Sequence, residues 1–243
     1  MTRLVTDPRR RGTTLSWITC QLASIESHSV SDSETTPQSP QGIGILGGSF
    51  DPVHMGHLWM AESALEQLPI EHVRWIPAAT SPLKPHGPVA SNEQRLQMLR
   101  LALSGQEGHV IDDWELQQDG ISFTRLTLEH LHQRFPDRPL YLIIGADSLA
   151  SFDRWRDPER ILELCHLAVI ARGGQAQPDY SILNAMAAPD RLQTIRESQI
   201  LMPQIEISSS DLRDRVCSGR SIRFQVPHPV RTLISQEKLY QEE

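Results

Sequence analysis

The chain has 243 residues, enough for one good-sized α/β domain or two small ones. Its formal net charge of −7 argues against non-specific nucleic-acid binding, so an anionic ligand must be met by local positive groups and not by the global field. Its cysteines, Cys20, Cys165 and Cys217, are scattered without CxxC spacing, as suits a reduced, cytoplasmic protein, and no apolar run approaches the ~20 residues that cross a bilayer.

Residues 1–41 differ from the rest. Arg9-Arg10-Arg11 gives way to a stretch rich in Ser, Thr, Gln and Pro, with little apolar periodicity, and Leu15 to Ile25 is too broken by polar residues to form a signal-peptide core. This segment reads as a disordered extension, and residues 42–243 as the functional domain. The domain opens with a short apolar run, Ile43 to Leu46, followed by Gly47-Gly48-Ser49-Phe50-Asp51-Pro52-Val53-His54-Met55-Gly56-His57 and an amphipathic segment, Leu58 to Leu68. A strand that turns at two glycines and feeds a helix presents unpaired backbone N–H groups at the helix start, where the macrodipole also favours negative charge. Two histidines three apart share one face of that first turn, so the combination reads as a nucleotide-phosphate site with two imidazole donors. Other readings fail. Gly42 to Gly47 satisfies GxGxxG, but the match runs through the strand instead of following it. No Lys-Ser/Thr follows the glycines, as a Walker loop requires, and no Glu follows His54, as an HExxH zinc site requires.

Further along, Val73–Pro77 reads as a strand and leads to a Pro-rich loop holding Lys84, which could reach a phosphate. Ser91-Asn92-Glu93-Gln94 is a capping box opening a helix whose Leu96, Leu99 and Leu103 share a face. After a strand at His109–Ile111, Ser122 is placed to cap a helix carrying Phe123, Leu126, His130 and Leu131 on one side. Leu140–Ile144 is a strand ending at Gly145-Ala146-Asp147, where Asp147 could accept a ribose or adenine hydrogen bond. Trp155 offers a flat face, Asp157-Pro158 starts another helix, and Leu167–Ala171 is a further strand. Ile207-Ser208-Ser209-Ser210-Asp211-Leu212-Arg213 sets hydroxyls at the start of a short helix that stops near Gly219, a second anion-ready end with Arg213 one turn inside. His86, His109, His130 and His166 read as structural or surface residues. The alternation of strands and helices predicts an α/β, Rossmann-like doubly wound fold, with a mainly parallel sheet covered on both faces and ligands beyond the carboxyl ends of the strands.

The first cluster resembles the GxFxPxHxGH signature of the HxGH nucleotidyltransferases, and Ile207 to Arg213 resembles their ISSTxIR motif. With Ser81 to His86, Leu142 to Ser148 and Ser151 to Trp155, the resemblance spans essentially Gly42 to Tyr240 and points to the nicotinate mononucleotide adenylyltransferase branch. The departures, Ser49 and Ser210 for Thr and Leu212 for Ile, keep the hydroxyl or the apolar bulk.

The resemblance implies transfer of the adenylyl group of ATP to nicotinate mononucleotide, giving deamido-NAD and pyrophosphate. By resemblance Ser208, Ser210 and Arg213 hold the β- and γ-phosphates and Phe123-Thr124 lines the acceptor pocket; residue type and position add Gly47, Gly48, Ser49, Phe50, His54, His57 and Asp147 as candidates for ATP, and Lys84 and Trp155 for the acceptor. His54, His57 and Arg213 would act on the reacting phosphates. No protein metal ligand is expected, because Mg²⁺ would be held mainly by phosphate oxygens and water. The expected partners are these two small molecules, with neither nucleic acid nor membrane; oligomeric state is open. The rival functions are another HxGH adenylyl- or cytidylyltransferase, such as one acting on pantetheine phosphate, and a nucleotide-sensing module that binds without turnover.

Overall fold

A computed structural model describes residues 41–80, 87–118, 120–172, 174 and 176–241; Lys84 and residues 1–40 of the expected extension lie outside the described residues. In chain order the elements are β1 (Gly42–Gly48), α1 (Met55–Gln67), β2 (Ile70–Pro77), α2 (Asn92–Leu103), β3 (His109–Ile111), α3 (Thr124–Arg134), β4 (Leu140–Gly145), α4 (Ala146–Leu149), α5 (Pro158–Leu164), β5 (His166–Arg172), α6 (Pro189–Glu197), β6 (Ile200–Met202), α7 (Ser209–Cys217) and α8 (His228–Gln236). The strands form one six-stranded sheet in the order β3-β2-β1-β4-β5-β6. Every ladder in it is parallel, so the expectation of a mainly parallel sheet holds throughout.

Strand alternation builds the two faces. Ile43, Ile45, Leu142, Ile144, Leu167 and Val169 pack with α3, α5 and α6 residues such as Leu128, Ile161 and Ile195. Their neighbours in sequence, Leu46, Ile143, Ala168 and Ile170, join α1, α2, α7 and α8 through Ala61, Met98, Leu212 and Val230. Side chains pointing alternately up and down, with helices on both sides, explain why these strands read as continuous apolar runs.

Three local expectations need correction. β6 was not expected: three residues are too few for a periodic signal, and this strand exists because Ile170 to Arg172 pair with it. α3 begins at Thr124 with Phe123, not Ser122, at its N-cap. Ser122 instead accepts a hydrogen bond from the Ala79 N–H (3.0 Å). The buried face of α3 is Thr127, Leu128 and Leu131, whereas His130 stacks on Trp114 and Leu126 is exposed. The capping box of α2 forms as expected, with Ser91 accepting from Gln94 N–H and the Gln94 carboxamide accepting from Ser91 N–H. At the far edge of the sheet, the Gln67 carboxamide bonds both backbone groups of Leu201, donating to its C=O (2.8 Å) and accepting from its N–H (2.9 Å).

Candidate active site

The strand order reverses direction between β1 and β4, which pair from Ile43 with Leu140 to Ile45 with Leu142 and run on to carboxyl ends at Gly48 and Gly145; ligands of doubly wound sheets bind at this crevice. The chain leaves β1 through Ser49 to Val53 and enters α1 at Met55, with His54 as N-cap. Phe50 adopts φ +49° and buries its ring beneath Gly48, against Trp75 and His57 (centroids 5.4 and 5.1 Å). The ring of Phe50 therefore backs His57. Gly47 has open space on the side where a Cβ would stand.

Side chains from distant helices hold this turn by its oxygen atoms. Arg95 of α2 donates to Ser49 O (2.6 Å), Ser209 Oγ to Pro52 O (3.0 Å), and Arg213 to Asp51 O (2.7 Å). Carbonyl oxygens that would repel a phosphate are thereby engaged from behind. The same contacts dock the start of α7 against the start of α1, so two helix N-termini meet at one turn.

The His54 and His57 rings stack 3.7 Å apart at this point. His54 is buried, and its carbonyl accepts from the N–H of His57 and of Leu58. His57, at the third helical position and partly exposed, accepts the His54 N–H on its Nδ1 (3.3 Å). That bond fixes the tautomer: the neutral ring carries its proton on Nε2. Gly56 matters here too, because a Cβ would come within 3.1 Å of the His54 ring and 3.8 Å of Ile207 O. Ser208 caps α7 by accepting from Asp211 N–H, and Ser210 Oγ accepts from Arg213. Both hydroxyls are exposed and keep their own proton to donate. Asp147 is exposed in the first turn of α4, beyond the end of β4, and Gly145 is the N-cap there; Asp147 caps nothing.

Phe123 and Thr124 form the start of α3, and the Arg156 guanidinium lies over the Phe123 ring (4.6 Å). Trp155 packs on Phe152, with its indole Nε1 buried and without a hydrogen-bond partner among the described residues. Phe123 and Trp155 thus belong to neighbouring segments.

Comparison with known proteins decides the family. The cytidylyltransferase-like family matches residues 45–215. A protein of Rhodopirellula baltica named "probable nicotinate-nucleotide adenylyltransferase" is 80% identical over 211 residues, 87% of this chain and 99% of its own length. A protein of the same name from Roseiflexus castenholzii is 44% identical over 199 residues, 81% of this chain and 96% of its own. The chain belongs to the nicotinate-nucleotide adenylyltransferase family. It is accordingly a nucleotidyltransferase, and its fold is shared with the Plasmodium falciparum nicotinic acid mononucleotide adenylyltransferase complexed with NaAD (TM-score 0.66, 18% identity, covering 83% of this chain and 98% of that one). No helix among the described residues is long and apolar enough to cross a membrane.

Several groups that shape this candidate site were not expected from the sequence. Ser209, not Ser208 or Ser210, ties α7 to the turn. Arg95 is fully buried at the fourth position of α2, where burial lowers its pKa and the nearby Asp51 opposes the shift. Its place one turn inside the α2 capping box was legible, but its partner 46 positions away was not. Asp51 is 2% exposed, with donors on both carboxylate oxygens.

Glu115 is a buried carboxyl beneath the start of α3, accepting from Thr127 Oγ1 (2.5 Å). Burial raises its pKa above the ordinary 4.5, hydrogen bonds from Thr127 and Ser122 oppose the shift, and Asp112 adds to it. The folded protein therefore binds this proton more tightly than the unfolded chain. The resulting stability is complete below about pH 4.5 and is lost as pH rises through the higher folded value. Glu115→Gln, which cannot ionise, should melt progressively higher relative to the parent as pH is raised from 4.5 to 8. A melting difference that stays constant across that range would remove Glu115 as the source.

Proposed function

We infer that this chain catalyses transfer of the adenylyl group from ATP to nicotinate mononucleotide, giving deamido-NAD and pyrophosphate, a step of NAD biosynthesis. The observation that carries the reading is the convergence of His54, His57 and the Arg213 helix on one turn at the carboxyl edge of β1 and β4. The reaction needs no protein nucleophile. A phosphate monoester, with its second pKa near about 6, is already mostly dianionic at pH 7. One of its oxygens attacks the α-phosphorus of ATP; the new P–O bond forms as the bond to the bridging oxygen breaks, and the electron pair leaves with pyrophosphate. What remains for the protein is alignment and neutralisation of developing charge.

In this reading His57 donates from Nε2 to an α-phosphate oxygen, with His54 beside it, while Arg213, Ser208 and Ser210 take the β- and γ-phosphates over the start of α7. The main chain of Gly47 to Phe50 borders the nucleotide, and Asp147 reaches its ribose or base. On the acceptor side, Phe123, Thr124 and Trp155 frame the pyridine ring, and Lys84 approaches the acceptor phosphate. Among the described residues no three His, Cys, Asp or Glu side chains cluster as a metal cage. A Mg²⁺ ion would be held by phosphate oxygens and water, and would offset charge on the departing pyrophosphate. We place the reaction in the cytoplasm, consistent with free Cys165 and Cys217, and the catalytic domain at residues 42–243.

Pyrophosphate release from ATP, measured with nicotinate mononucleotide, nicotinamide mononucleotide and pantetheine phosphate as acceptors, tests the assignment. Preferred turnover of the nicotinate compound is expected. Turnover with pantetheine phosphate alone would reject the acceptor, and ATP binding without turnover would make the chain a sensor.

A further inference from the structure

Outside the assigned residues, the Asp51 carboxylate is buried with donors on both of its oxygens. Its Oδ1 accepts from the Tyr240 hydroxyl (2.7 Å) and Ala90 N–H (3.1 Å), and its Oδ2 accepts from Val89 N–H (2.7 Å). The Arg213 guanidinium lies 3.7 Å from Oδ2 while bonding the main-chain oxygen of the same residue. Three stretches of chain far apart in sequence thus close on one side chain: the residues leading into α2, the arginine of α7, and the C-terminus, 189 positions from Asp51. Tyr240 and Lys238 both adopt positive φ (+62° and +53°), a backbone that non-glycine residues rarely take, and this sharp turn brings the phenol inward.

A buried carboxylate is tolerated only when its lone pairs are filled. Backbone donors alone would fill two of these sites; Tyr240 fills another. Burial, and then the charge of Asp51, push the phenol pKa upward, so the hydroxyl remains a donor at any working pH. With its oxygens committed to these donors, the carboxylate steadies Arg213 from behind without closing on it as a tight exposed pair would. The guanidinium nitrogen on the other side reaches Ser210 Oγ (3.3 Å), at the helix start assigned to phosphate.

We propose that Asp51 and Tyr240 are positioning residues for Arg213, the C-terminal tyrosine acting as a latch that holds the Asp51 carboxylate where it orients the guanidinium for the ATP phosphates. The inference rests on the reading of Arg213 as an ATP ligand, but not on the identity of the acceptor. The test is a double-mutant cycle of Tyr240→Phe and Arg213→Lys, read as the ATP dissociation constant by calorimetry without acceptor, and as KM for ATP and kcat where an acceptor is turned over.

Tyr240→Phe should weaken ATP binding about threefold to tenfold in the parent, and much less in the Arg213→Lys background, because coupled residues are non-additive. Asp51→Asn should show the same dependence on Arg213. An equal fold-change in both backgrounds would overturn the proposal, and so would a Tyr240→Phe protein with lowered melting temperature but unaltered ATP affinity. If Asp51→Asn does not fold, the Tyr240 and Arg213 cycle decides alone. A parent protein that binds ATP but does not turn over nicotinate mononucleotide would sink the proposed reaction while leaving this cycle readable.

Discussion

His57→Ala lowers kcat by about two to three orders of magnitude while changing KM for ATP only a few-fold; this is the largest effect expected of any single substitution here. A donor that meets charge only as it develops acts on the transition state, and losing one such donor costs roughly 2.7–4 kcal/mol. The geometry favours His57 over His54 for this part. His57 is partly exposed and its Nδ1 is occupied by the His54 N–H, which puts the proton of the neutral ring on Nε2. His54 is buried beneath it as helix N-cap and stacking partner, so His54→Ala should lower both turnover and melting temperature. Because the rings act as a unit, the double variant should be little slower than the worse single one. Steady-state kinetics with a thermal melt for each variant separates these effects. A His57→Ala enzyme of parental rate would remove the imidazole from the chemistry.

Arg213→Ala is expected to raise KM for ATP at least tenfold and to lower kcat as well, since two things are lost at once. Hydrogen bonds to charged groups contribute about 1.5–3 kcal/mol each, and a cation facing the outer phosphates makes more than one. The substitution also takes away the cation 3.7 Å from the buried Asp51 carboxylate, and it removes a tie between α7 and the turn. A drop in melting temperature should accompany the kinetic loss. Arg213→Lys, which keeps the charge but not the fork, should fall between. Kinetics over a range of ATP at saturating acceptor would show it; an unchanged KM and kcat in Arg213→Ala would detach α7 from nucleotide binding.

What could be read in the sequence was local. The apolar runs at β1, β2, β4 and β5 announce themselves because each is buried on both faces, and Ser91 with Gln94 caps α2 because donor and acceptor lie three residues apart. The histidine pair was legible for the same reason. Ser122 misled because its hydroxyl had the option of a local cap and is used instead by Ala79, 43 positions away. Asp51 and Arg95 were illegible in kind. Apart from Asn92, which Arg95 reaches three positions away, their partners are backbone groups, a tyrosine near the end of the chain and an arginine that only the folded chain brings near, and neither residue type carries a signal that it will be buried. Lys84 is the one assigned residue whose neighbours are not described.

The small contact at the sheet margin has a consequence for how copies of this protein behave in crowded solution. A terminal strand ordinarily offers its outward amide and carbonyl as a template on which another chain can extend the sheet. β6 is so short that Leu201 supplies that outward pair by itself, and the carboxamide of Gln67 already satisfies both members. One glutamine thus stands in for a neighbouring strand, so this border of the protein resists fibre-like growth despite an exposed leucine beside it.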